Sequence, residues 1–241
     1  MQTFTQFEVT LAPMGTLTGW LGHLLHGALF EQLKAASPAL AQRIHSYKRK
    51  PFSLHYQLRE GLITLCIGVW DEELALAIPA AFVVGGTLTL SRTTAKIRAV
   101  ALTNERTLPC KEALQAAFRL DFRSPTCFSS SGNIVLFPGS RHVIESLYHA
   151  VSFTGKLLPP LKSCEAIAAF VHPCGYDLRT QVISFGGYTH SGFIGHCDYI
   201  VSKELPQKQR ALLCDLLSAI PYTGIGYKTA MGMGTAKFAQ K

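Results

Sequence analysis

The segment GIGYKTAMGMGTAKF, residues 224–238, sets four glycines (Gly224, Gly226, Gly232 and Gly234) beside two lysines, Lys228 and Lys237. Bare backbone next to ammonium groups can receive a phosphate, because the anion approaches amide N–H groups closely where no Cβ stands in the way. The spacing is G-x-G-x5-G-x-G. It is not a dinucleotide fingerprint: Thr229 and Lys237 stand where the third glycine of G-x-G-x-x-G belongs, and the stretch follows an expected helix rather than a strand. No Gly-Lys-Ser/Thr closes it, so it is not a P-loop either. What remains is a helix-to-strand loop that serves a phosphate or, on the plainer reading, tight turns and packing.

Other groupings are weaker. Arg92, Lys96 and Arg98 alternate through SRTTAKIRAV, and on a strand they share one face that can grip phosphates or simply face water. His172, Cys174, His190, His196 and Cys197 are close in sequence. His196 and Cys197, however, are neighbours in an expected strand and point to opposite faces, so neither a metal nor another cofactor is expected. Serine-hydrolase chemistry is disfavoured, because there is no G-x-S-x-G elbow and SSSG at 129–132 reads as a loop.

Composition sets the wider frame. The chain has 241 residues, 48% of them apolar, enough for two cores of ordinary size. Its net charge is +8 although only 16% of residues are charged, so the basicity comes from scarce acids. That balance suits a polyanion such as nucleic acid, and also fits a merely soluble basic protein. Seven cysteines (66, 110, 127, 164, 174, 197 and 214) have irregular spacing, no C-x-x-C and an odd count. They read as small buried hydrophobes in a reducing compartment. MQTFTQFEVTLAP lacks a basic-then-apolar run, and no apolar stretch approaches the ~20 residues of a membrane span. A cytoplasmic protein with no membrane partner is expected.

These segments need elements to position them. Phe7, Val9 and Leu11 alternate into a strand ending at Pro13. Trp20, Leu21, Leu24, Leu25, Ala28, Leu29 and Leu33 then fall at helical spacing. Ser37 and Pro38 open a short second helix that carries His45 near its end. After KRKP come two strands about a Glu60–Gly61 turn, an acid-led helix over DEELALAIPAAF, and one or two strands through GTLTLSRTTAKIRAVAL. The order is β-α-β-β-α-β, a ferredoxin-like unit. From about residue 120 it repeats: RLDFRSPTCFSS as strand, 140–158 as helix, a long hairpin about Gly186–Gly187, a helix over LPQKQRALLCDLLSAI and a last strand at AKFA. The fold class is therefore α+β, two tandem ferredoxin-like (RRM-like) domains, 1–119 and 120–241.

A C-terminal helix running into IPYTGIGYKTAMGMGTAKF resembles the glycine-rich signature of the repeat-associated RNA-processing (RAMP) superfamily of CRISPR systems. LHGALFEQLKAASPALAQRIHSYKRKPFSL, DFRSPTCF and FGGYTHSGFIGHCDY agree in the same order. Within the superfamily the chain is most similar to the sixth CRISPR-associated protein family, endoribonucleases that cut precursor CRISPR RNA inside its repeats.

The resemblance implies a metal-independent ribonuclease in which the substrate's 2′-hydroxyl attacks the phosphate. The products are a 2′,3′-cyclic phosphate and a 5′-hydroxyl. His45 matches the family's catalytic histidine, and an imidazole with an ordinary pKa near 6.5 exchanges protons at neutral pH. Lys50 matches the lysine that stabilises the charged phosphate, with Lys48 and Arg49 close enough to leave the register open. A tyrosine completes the triad in some members, but Phe30 stands at that position. His26, one turn earlier on the same helix face, is the candidate substitute. The RNA contacts implied are Lys48, Arg49, Arg92, Lys96, Arg98, Lys228, Lys237 and the four loop glycines. The partners implied are the precursor repeat RNA and subunits of a CRISPR effector complex, with the protein a monomer or homodimer. A non-cleaving RNA-binding subunit on the same fold is the alternative.

Overall fold

A computed structural model describes residues 2–109, 112–152 and 161–241. Its contacts divide the chain into two compact units. One comprises Thr3–Arg106 together with Ala230–Gly232; the other holds Gln2, Thr107–Thr229 and Met233–Lys241.

The first unit runs β1 (Gln2–Pro13), α1 (Gly22–Ala36), α2 (Pro38–Ser46), β2 (Phe52–Arg59), β3 (Leu62–Val69), α3 (Glu72–Ala81), β4 (Thr87–Leu90) and β5 (Thr93–Leu108). Its sheet has the order β2-β3-β1-β5-β4, the ferredoxin-like arrangement with β4 added at one edge. Period-2 alternation turns Phe7, Val9 and Leu11 of β1 inward with Ile63, Leu65 and Ile67 of β3. Leu25, Ala28, Leu29 and Leu33 of α1 lie in the same core at helical spacing, which is what holds α1 on the sheet. The β2–β3 turn places Glu60 and Gly61 at φ of 51° and 75°, the twist a two-residue hairpin requires. Asp71 caps α3 by accepting from the Leu74 amide at 2.8 Å. Ser37 is extended as a cap residue should be, but its side chain makes no capping bond, so the turn into α2 rests on Pro38.

The second unit runs β6 (Ala117–Thr126), β7 (Phe128–Ser130), β8 (Asn133–Val135), α4 (Ser140–Val151), α5 (Leu161–Ala168), β9 (Val171–Ser184), β10 (Thr189–Val201), α6 (Gln207–Ser218), α7 (Ile220–Thr223) and β11 (Ala236–Gln240). Its sheet order, β11-β6-β10-β9, is again ferredoxin-like. Tyr199, fully buried, stacks on Phe118 at 4.8 Å and donates its hydroxyl proton to the Pro138 carbonyl at 2.6 Å. SSSG at 129–132 supplies part of the β7–β8 hairpin: Ser129 and Ser130 are in β7, and Ser131–Gly132 make its turn. The expected helix over 140–158 is helical to Val151, and its residues 153–158, like Cys110, lie outside the described residues.

Candidate active site and nucleic-acid interface

The sharp joint at Ser37 folds α2 against α1 and brings three rings together. His26 and Phe30 are one turn apart on α1 and meet edge to face with centroids 4.9 Å apart. His45, at the end of α2, contacts the other side of this pair: its ring is 5.4 Å from Phe30. Phe52, at the start of β2, stacks on His26 at 5.8 Å and meets Phe30 at 5.9 Å. His45 is exposed, whereas His26 and Phe30 are half-buried.

Lys50 turns back on α2. Its ammonium donates to the carbonyls of His45 and Tyr47, at 2.7 and 2.5 Å, and so caps the helix end. Partial burial lowers its pKa from the usual lysine value. Lys48 and Arg49 are exposed in the loop before β2. Arg43 is a residue the sequence did not single out. It grips both carboxylate oxygens of Asp71 at 3.0 Å, Glu73 at 2.9 Å and the Tyr47 hydroxyl at 2.9 Å. That fork pins the His45 end of α2 to the start of α3.

Part of the glycine-rich segment belongs to this unit. The Ala230 carbonyl lies 2.9 Å from His26 Nδ1, and the Met231 carbonyl accepts from Trp20 Nε1 at 3.1 Å. A carbonyl can only accept, so the proton is assigned to Nδ1, which leaves Nε2 as the nitrogen that exchanges protons. Gly232, at φ 85°, allows this close fit: a Cβ there would sit 3.1 Å from the Trp20 ring and 3.3 Å from Gly22 Cα.

The remainder of the segment belongs to the second unit, where its amides are committed to protein acceptors. Gly224 donates to Ile220 O at 2.9 Å, Gly226 to Ser146 Oγ at 2.7 Å and Gly234 to Pro125 O at 3.1 Å. A Cβ on Gly234 would lie 2.1 Å from the Ile225 carbonyl. These three glycines serve close packing.

Lys228 is set differently. Its ammonium stands 5.1 to 5.4 Å from the ring centres of Tyr227, Tyr188 and Phe185, and 3.2 Å from the Tyr188 hydroxyl. Phe185 and Tyr188 are parallel to within 4° at 5.2 Å, and His190 meets both rings and Tyr227 edge to face. Burial, with the charge of Lys228 added, lowers the pKa of His190 from its ordinary value. The sequence signal for this cluster was slight: three rings around the Gly186–Gly187 turn and a tyrosine next to Lys228.

Lys96 and Arg98 are exposed on β5, on the face opposite the buried Ala95 and Ile97. Arg92 is not on the strand with them, because the tight turn at Ser91 (φ 60°) places it in the β4–β5 connection. Lys237 is exposed on β11, paired in register with Asp121 of β6. The first unit thus holds His26, His45, Lys48, Arg49, Lys50, Arg92, Lys96, Arg98 and Gly232, and the second holds Gly224, Gly226, Lys228, Gly234 and Lys237. Among the described residues no three His, Cys, Asp or Glu side chains are grouped to hold a metal ion. No helix among them is long and apolar enough to cross a membrane.

Solved structures share this fold of two ferredoxin-like units. A Cas6 product complex superposes with a TM-score of 0.85 at 22% identity, covering 98% of this chain and 100% of the other. Thermus thermophilus Cas6 gives 0.78 at 20% identity, with 99% of each chain covered. In sequence, residues 120–236 match the family profile of the CRISPR-associated endoribonuclease Cas6. A Streptococcus thermophilus protein described as a CRISPR-associated endoribonuclease Cas6 is 26% identical over 132 residues, 54% of this chain and 54% of that protein. The match therefore spans about half the length of this curated relative. Residues 120–236, just under half of the chain, thus carry the sequence likeness to the Cas6 family.

Proposed function

We propose that this protein is a metal-independent endoribonuclease that cuts precursor CRISPR RNA within its repeats to release guide RNAs. The observation that carries the reading is the convergence of His26 and His45 on Phe30, with the Lys50 ammonium 2.7 Å from the His45 carbonyl. Two proton-exchanging groups and a cation are what RNA cleavage by the internal 2′-hydroxyl requires.

In this mechanism His45 takes the 2′ proton and the 2′ oxygen attacks the adjacent phosphorus in line. Lys50 leaves its helix-capping position to balance the charge of the phosphorane, with Lys48 the alternative cation. His26, protonated and held through Nδ1, gives its Nε2 proton to the departing 5′ oxygen. Charge then returns to the starting state when a proton passes from His45 to His26 through water. The strand broken ends in a 2′,3′-cyclic phosphate on one side and a 5′-hydroxyl on the other. Lys96 and Arg98 on β5, Arg92 in its turn, Arg49, Lys228 and Lys237 supply the positive surface for the repeat's phosphates. The loop glycines act as braces that let the backbone approach closely.

One observation favours a second reading. Phe30 cannot exchange a proton, so a non-cleaving RNA-binding subunit of an effector complex would carry the same ring cluster as packing. The experiment that separates the two is incubation with the cognate repeat RNA in EDTA. Cleavage at one bond supports the nuclease, whereas tight, salt-sensitive binding of an intact strand supports the subunit. A requirement for added metal would overturn the mechanism proposed.

A further inference from the structure

The hairpin between β9 and β10, with Tyr227 and Lys228 beside it, presents a second set of groups remote in sequence from His45, of which only Lys228 has so far been given a role, as a phosphate contact. Tyr188 and Tyr227 keep 47% and 40% of their surface exposed, although aromatic side chains of this size are usually well covered. Phe185, 6% exposed, backs Tyr188 as a parallel partner and fixes the plane of its ring. Lys228 brings a positive charge within 5.4 Å of all three rings. Its own backbone, at φ 58°, adopts a conformation that non-glycine residues rarely take. Exposed, rigidly backed aromatic faces around a fixed cation are the features that bind unpaired nucleotides: the bases stack and the backbone phosphate meets the charge.

We propose that Tyr188, Tyr227 and Lys228 form a stacking site for an unpaired nucleotide of RNA. The proposal rests on the RNA-binding reading given above and deepens it, because it adds recognition of a single-stranded segment to recognition of a folded repeat. The net charge of +8 favours a polyanion over a neutral or cationic partner. Base stacking reads every base through its π-face, so this site holds a nucleotide without selecting its identity.

The test uses the full chain and two RNAs of equal charge: a fluorescein-labelled oligoadenylate ten nucleotides long, and the same backbone carrying abasic residues. A duplex hairpin serves as a third ligand. Binding is followed by fluorescence anisotropy at one fixed salt concentration. Wild-type protein is expected to bind the oligoadenylate about tenfold more tightly than the abasic strand, within the range for one stacked base. Tyr188→Leu and Tyr227→Leu keep apolar bulk and are expected to erase that preference while binding the hairpin as the wild type does. Lys228→Gln is expected to weaken both single strands together. Equal affinity of the wild type for the two single strands overturns the stacking site. So does a preference that survives both tyrosine substitutions. Failure to bind any of the three RNAs overturns the RNA-binding reading itself, and is distinguished from the first two outcomes by the hairpin.

Discussion

The imidazole of His26 is tied through Nδ1 to the carbonyl of Ala230, 2.9 Å away and 204 residues further along the chain. The glycine-rich signature thus does more than mark a family: its Ala230–Gly232 portion sets the tautomer of a histidine in the proposed active site. A Cβ at residue 232 would press on Trp20 and Gly22, so Gly232→Ala should displace this strap. The expected cost is about 1–2 kcal/mol of stability for an alanine held at positive φ. Cleavage by the protein that remains folded should fall further than RNA binding does. Thermal melts and single-turnover assays on the same samples check this, and unchanged cleavage would show that the strap does not govern His26.

His45→Ala should lower the cleavage rate by about 100- to 10,000-fold, the usual contribution of a general acid or base. Because His45 is exposed, its loss should change stability by no more than ~0.5 kcal/mol. Repeat RNA should bind as before. A single-turnover rate within threefold of wild type would remove His45 from the chemistry.

Lys50 has two roles to separate. Its cap on the last turn of α2 is worth about 0.3–1 kcal/mol, which Lys50→Met should forfeit. If the ammonium also balances the phosphorane, cleavage should fall at least tenfold beyond the loss of folded protein, and Lys50→Arg should recover part of it. The lowered pKa of Lys50 adds a pH signature. The ammonium is lost as pH rises through a value below the usual lysine pKa, so the basic limb of the rate profile should begin earlier in wild type than an ordinary lysine allows. An unaltered rate in Lys50→Met, measured per folded molecule, would leave Lys50 as a helix cap alone.

The described cysteines should react in order of exposure. Burial pushes the thiols of Cys127 and Cys66 up to about 11, so little thiolate exists at pH 8. Cys174 is exposed on β9 and should be the first of them alkylated by iodoacetamide. Peptide mass mapping over a time course reads the order. Modification of Cys127 as fast as Cys174 would contradict the full burial of Cys127 between β6 and β7.

Much of this architecture was legible because local signals agree with the tertiary fold. The alternation of Phe7, Val9 and Leu11 in β1, the Glu60–Gly61 turn and the acid-led start of α3 each specify one geometry. The convergence of His26 and His45 on Phe30 could not be read from periodicity, because it depends on the angle between two helices; only the family resemblance had put the three residues together. The Ala230 contact could not be read at all, since it joins residues far apart in the chain. Arg43 escaped notice because a basic residue on a helix usually faces water, and its carboxylate partners lie 28 and 30 positions away. The glycines were half legible. Their pattern promised close approach, but only the structure shows that Gly224, Gly226 and Gly234 donate their amides to the protein.

The most direct test of the proposed chemistry is a single-turnover assay, in EDTA, on repeat RNA carrying a 2′-deoxy nucleotide immediately 5′ of the cut bond. The account predicts that the all-ribose strand is cleaved to a 2′,3′-cyclic phosphate and a 5′-hydroxyl, while the deoxy strand binds equally well and stays intact. Cleavage of the deoxy strand at the ribose rate would contradict attack by the 2′-hydroxyl, and with it the roles assigned to His45 and His26.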